Sequence, residues 1–211
     1  MKRIIVDAGF AVALAAVVAA APPAGAVTIV LPRAGQVGVG VQGQFGTLLQ
    51  SGNLGNEFGS GAGLAIKLVY RMRYERAIGL SFESSQLQTR VPRFDQTAFL
   101  ASPDSLTRST LNVTSAGFDI YQYFNTRTRT PRYLDAGIGL AEVNSELQDG
   151  EITYPPDGSD GLYLSAGAGF ERFVYRSWAV DASAKYRAIF FDGEVNHTVQ
   201  ASLGMIFYAA Y

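Results

Sequence analysis

Hydrophobic and polar positions alternate along most of this chain. From Gly61 to Arg71 the even positions are Ala62, Leu64, Ile66, Leu68 and Tyr70, and the odd ones are Gly61, Gly63, Ala65, Lys67, Val69 and Arg71. A period of two sends successive side chains to opposite faces, so the segment predicts a strand with one apolar face and one of small residues and spaced charges. Val37, Val39, Val41 and Phe45 oppose Gly38, Gly40, Gln42 and Gln44 in the same way, and Ile78, Leu80 and Phe82 oppose Gly79, Ser81 and Glu83. Further segments follow at 132–143, 162–172, 178–189 and 197–207. Between 110 and 124, Ala116, Phe118 and Ile120 share a face opposite Gly117 and Asp119, but Leu111 and Val113 fall on the other parity, which predicts a bulge.

Eight strands result, and their links differ in length: 47–59, 86–109 and 144–161 are long, 72–75, 125–131 and 173–177 short, and 190–196 intermediate. Long and short connections at opposite ends of an up-and-down meander predict an all-β, eight-stranded antiparallel transmembrane β-barrel. Strands of about 9–11 residues suit a tilted crossing of the hydrocarbon layer.

Alternation alone also suits a soluble lipocalin-like barrel with its apolar face inward. The polar parity separates the two. A water-exposed strand face is rich in Lys, Glu and Thr, whereas this one is mostly Gly, Ala and Ser, which fits the narrow interior of an eight-stranded barrel. A Lys or Arg facing lipid at mid-depth costs about 2–4 kcal/mol, so the charged parity must face in. That interior set is Lys67, Arg71, Lys185 and Arg187 against Glu83, Asp119, Asp135, Glu171 and Asp181, four positive and five negative. Near balance in a confined space predicts a paired network that plugs the barrel, since open pores take about 16 strands. Tight turns would set Lys67 diagonal to Glu83, Tyr163 near Arg187 and Ser165 near Lys185.

Composition narrows the reading further. Lys2 and Arg3, the uncharged run Ala8–Ala21, Pro22-Pro23 and the small residues Ala24, Gly25 and Ala26 have the layout of a secretory signal peptide, 1–26, cleaved after Ala26. The remaining 27–211 forms one barrel domain; losing Lys2, Arg3 and Asp7 leaves 15 basic and 17 acidic side chains. That near-neutral balance, without basic blocks, excludes a nucleic-acid partner. Zero cysteine removes thiolate metal sites and disulfides, and no cofactor or catalytic residue is expected. The run Gly38-Val39-Gly40-Val41-Gln42-Gly43 matches the dinucleotide fingerprint, but no helix-forming segment follows it.

These features resemble the small eight-stranded outer-membrane β-barrels of Gram-negative bacteria, which include the OmpA transmembrane domain, OmpX, OmpW and the opacity adhesins. The shared residues are Gly137 and Gly139, Gly167 and Gly169, the interior charges and the terminal strand from His197. The resemblance implies that Gly204, Phe207 and Tyr211 form the C-terminal signal read by the barrel-insertion machinery, although Ala209 departs from the usual aromatic spacing. It also implies a place in the outer membrane, with outer-membrane lipid and lipopolysaccharide as partners. Roles within it are envelope structure, surface-loop interaction or passage of small hydrophobic molecules. Lipid A deacylases resemble the chain in barrel type and use a lipid-facing His/Ser pair two residues apart; here His197 is followed by Val199, which argues against a barrel hydrolase. Loop 86–109, with Arg90, Arg93 and Arg108, and the acidic loop 144–161 are the candidate ligand surfaces; Asp157 to Gly161 does not have EF-hand calcium spacing.

Overall fold

The structure, a computed structural model, describes residues 32–50, 58–89, 109–147, 159–175, 177–191 and 193–209. Ala24 and Ala26, Tyr211, and most of loops 86–109 and 144–161 lie outside the described residues. The alternating segments form β1 (Val37–Leu48), β2 (Phe58–Arg73), β3 (Arg76–Thr89), β4 (Ser109–Phe124), β5 (Arg132–Leu147), β6 (Ser159–Tyr175), β7 (Trp178–Phe191) and β8 (Glu194–Tyr208). Each pairs antiparallel with the next, and β8 pairs with β1, so the sheet closes into an eight-stranded barrel.

The apolar parity faces outward. Leu64, Ile66, Phe82, Ile120, Leu134 and Leu140 each keep half or more of their surface exposed. In water such a wall would be an aggregation surface; in hydrocarbon it is the favourable arrangement. Inward lie the small and charged residues, with Lys67, Arg71, Glu83, Asp119, Asp135, Glu171, Asp181 and Arg187 all buried.

The strands are 12 to 17 residues long, more than the 9–11 expected. Most of the extra length lies at the end carrying the long links, where the parity of β4 breaks. No register shift interrupts β4 in either of its ladders, so the expected bulge is absent. Leu111 and Val113 instead point into the barrel, where they pack with Leu48, Phe58, Leu87 and Val143. On the outside at that level the register aligns Gln86 with Asn112 and Asn112 with Asn144. Beyond the lipid band the wall meets water, so the two faces exchange chemistry: polar out, apolar in. Register shifts occur elsewhere, in β2 between Phe58 and Gly61 and between Arg71 and Arg73, and in β6 between Phe173 and Tyr175.

The link between β7 and β8 is shorter than expected. Phe191 still pairs with Glu194, leaving two positions between the strands. Gly193 has φ +77, the left-handed value that two-residue hairpin turns require and that glycine supplies.

Candidate functional site

The interior is built in layers along the barrel axis, each joining strands that are remote in sequence. Nearest the short-turn end, Arg71 of β2 donates to Glu171 of β6 at 2.8 Å and to the Tyr208 hydroxyl at 3.1 Å. Tyr123 and Tyr208 both donate to Glu171, at 2.6 and 2.8 Å, and the Arg71 guanidinium lies 3.3 Å from the centre of the Tyr123 ring. Glu171 has no exposed surface, so three donors replace its water shell. In the next layer, Asp181 of β7 accepts from Lys67, from the Gln42 side-chain amide and, at 2.9 Å, from the Tyr133 hydroxyl.

Above these, Lys185 lies 3.0 Å from Asp119 and 3.4 Å from Asp135, and Ser81 donates to Asp119 at 2.8 Å. The fourth layer holds Arg187 against Glu83 at 2.5 Å, with Gln200 donating to Glu83 at 3.0 Å and Arg187 donating to Ser115 at 3.2 Å. The apolar cluster of Leu48, Phe58, Leu87, Leu111 and Val143 follows, toward the long links. Among the described residues, voids of about 20 and 30 Å³ lie in this lumen. A void of ~10–15 Å³ admits about one water, so these hold very few.

Glycine gives the interior side chains their room. A Cβ at Gly117 would sit 1.9 Å from the Tyr163 hydroxyl, and one at Gly137 would sit 2.2 Å from Asp119. A Cβ at Gly169 would sit 2.5 Å from the Tyr133 ring, and one at Gly167 would sit 2.6 Å from Asp135. The glycine-rich parity is therefore the complement of the Tyr and Asp side chains that cross the barrel.

All nine interior residues expected from the charge pattern are brought together, but the partners differ from those that hairpin geometry suggested. Lys67 is diagonal to Glu83, with Ser81 directly opposite, yet its ion pair crosses the lumen to Asp181. Tyr163 does meet Arg187, whose guanidinium lies 4.7 Å from the ring centre. Ser165 faces Arg187 rather than Lys185, because β6 and β7 still pair at Tyr175 and Trp178, so the hairpin turns later than the expected link 173–177 and the register is displaced by two. The buried tyrosines Tyr121, Tyr123, Tyr133 and Tyr208 also line the interior, and a reading of the charge pattern alone does not find them. Their signal was available: Tyr121 and Tyr133 share parity with Asp119 and Asp135, and Tyr208 shares parity with Gly204.

In the terminal strand, Phe207 points outward, 40% exposed, and packs on Trp178 with ring centres 5.0 Å apart. Gly204 lies at the β8–β1 seam opposite Gln42, where a Cβ would be 2.0 Å from the Val41 carbonyl oxygen. His197 stacks on the Tyr186 ring at 5.7 Å, and its Nδ1 pairs with the Tyr186 hydroxyl. Among the described residues no group of three His, Cys, Asp or Glu side chains is placed to hold a metal ion.

The fold recurs in solved structures. Ail, the attachment invasion locus protein of Yersinia pestis, superposes with a TM-score of 0.51 at 14% identity, over 82% of this chain and 99% of its own. AlkL in lipid bilayers gives 0.51 at 13% identity over 90% and 95%, and OprG from Pseudomonas aeruginosa gives 0.50 at 12% over 87% and 100%. No curated protein sequence matches. The family model described as the outer membrane protein beta-barrel domain matches residues 10–207, and with its closed eight-stranded wall, apolar outside and charged within, the chain belongs to that family.

Proposed function

We propose that this is an integral outer-membrane barrel with a plugged interior that serves the envelope as a structural wall and as a platform for surface loops, without a catalytic step. The observation that carries this reading is that each of the five interior carboxylates faces a cation from another strand: Glu83, Asp119, Asp135, Glu171 and Asp181 are matched by Arg187, Lys185, Arg71 and Lys67. A water-filled channel needs unpaired lining groups and room for a hydrated solute, and voids of about 20 and 30 Å³ do not offer it.

The specific interaction belongs to loops 86–109 and 144–161. Ail is known in complex with the heparin analogue sucrose octasulfate. In this chain Arg90, Arg93 and Arg108 give loop 86–109 the means to take an anionic surface ligand, lipopolysaccharide phosphate included. In the same reading 1–26 is the export signal, and Gly204, Phe207 and Tyr211 are recognised during insertion.

Purified protein in planar bilayers should give no steady conductance, and liposomes carrying it should not swell in small sugars or amino acids. Steady single-channel currents from the wild-type barrel would replace the plugged reading by that of a narrow channel.

A further inference from the structure

Arginine is spread along the barrel axis in a way the interior network does not use. Around the end carrying the short turns, Arg33, Arg73, Arg76, Arg127, Arg129 and Arg132 are all exposed, and Glu75 is the one exposed acidic side chain among the described residues there. Among the described residues none of these six has a carboxylate at ion-pair distance. At the opposite end the described rim carries Glu142 and Asp160, both exposed. Short turns of outer-membrane barrels face the periplasm, so the periplasmic rim is positive. A ring of unpaired guanidinium groups repels itself and attracts anions.

Placement selects the anion. Arg76 and Arg132 occupy the lipid-facing parity, two residues below Ile78 and Leu134, so they leave the side of the wall rather than its rim. The register sets Arg132 beside Phe124 and Phe170. Tyr74, Phe124, Tyr175 and Trp178 are exposed at the same end, and aromatics of this kind mark the level of lipid headgroups. Phosphate is the anion found at that depth, and the planar guanidinium grips it with two parallel hydrogen bonds. Arg132 also borders a shallow lipid-facing groove of about 420 Å³ that includes Ala168, Ala182, Ala184 and Ala201, which leaves space for an acyl chain beneath its own headgroup.

We propose that this arginine rim binds the phosphate headgroups of anionic phospholipids in the periplasmic leaflet and so sets the depth and orientation of the barrel. The proposal rests on the outer-membrane reading. It is tested with the full-length mature chain reconstituted in phosphatidylcholine vesicles, with or without phosphatidylglycerol, using spin-labelled lipids to read which headgroup occupies the protein boundary. Each arginine near an anionic surface favours association about fivefold. Wild-type protein is expected to prefer phosphatidylglycerol about fivefold or more. The triple variant Arg73→Gln, Arg76→Gln and Arg132→Gln should lose most of that preference, as should wild type in 1 M salt, where the Debye length is about 3 Å.

A triple variant that folds to the same heat-shifted gel band and retains the full preference would overturn the proposal. So would a wild type with no preference, or a rim that binds sedimented peptidoglycan in place of lipid. A chain that never yields a heat-shifted, vesicle-inserted form would overturn the barrel reading and this proposal with it.

Discussion

Glu171 is fully buried inside a lipid-facing barrel, and its charge is tolerable because Arg71, Tyr123 and Tyr208 all donate to it. Removing one partner of such a pair leaves the other charge buried and alone. Glu171→Ala should therefore cost about 3–5 kcal/mol of stability, read as a lower urea midpoint for unfolding from vesicles. Changing Glu171 and Arg71 together to apolar residues should recover much of the loss, since the orphaned guanidinium is then gone. Gly204 presents a different constraint. The atom that a Cβ would strike is the Val41 carbonyl oxygen, part of the neighbouring strand's backbone, and backbone cannot rotate away as a side chain can. Gly204→Ala should cost about 1–3 kcal/mol, seen as a smaller fraction of heat-shifted band after refolding. A substitution at Gly117 meets the Tyr163 hydroxyl instead, so Tyr163→Ala should relieve it.

At the scale of the strand, the exchange of faces along β4 marks where the membrane ends. Phe118 and Ile120 face out in the lower part, whereas Thr110, Asn112 and Thr114 hold that parity in the upper part, with Leu111 and Val113 turned in. Two substitutions on the outward face test this boundary. Ile138→Arg, on β5 and paired with Phe118, should destabilise the barrel in vesicles by about 2–4 kcal/mol, and Asn112→Arg by about 1 kcal/mol or less. Equal effects at the two sites would place both in the same medium. The strands themselves were legible as alternation because lipid outside and a tight lumen inside impose opposite demands on successive residues. Their ends were not, because above the lipid band the contrast reverses sign, and a reversal within one unbroken strand reads in one dimension like a one-residue slip.

For the molecule as a whole, the formal charge of −1 conceals an ordered distribution. The interior carries four cations and five anions that pair, while the periplasmic rim is rich in arginine and the described part of the opposite rim is acidic. Pairing of that kind also closes the cylinder mechanically: Lys67–Asp181, Arg71–Glu171 and Arg187–Glu83 tie β2 and β3 to β6 and β7 across the lumen, adding links that the ladder between neighbours does not make.

The amino-acid sequence alone determined the number of strands, their antiparallel order and, along the lipid band, which parity of each strand is apolar. Each follows from a period of two combined with the cost of placing charge in hydrocarbon. Only the tertiary structure decided who pairs with whom. Ladder partners are set by turn length and bulges, and these can be estimated along the chain. Contacts across a lumen depend on closure of β8 onto β1, on the stagger accumulated around the barrel, and on the side-chain length that spans it. Hence Lys67 passes over its near neighbour Glu83 to reach Asp181, and a tyrosine layer fills the space that the glycines leave, because the distance across a closed barrel exists only once the barrel has closed.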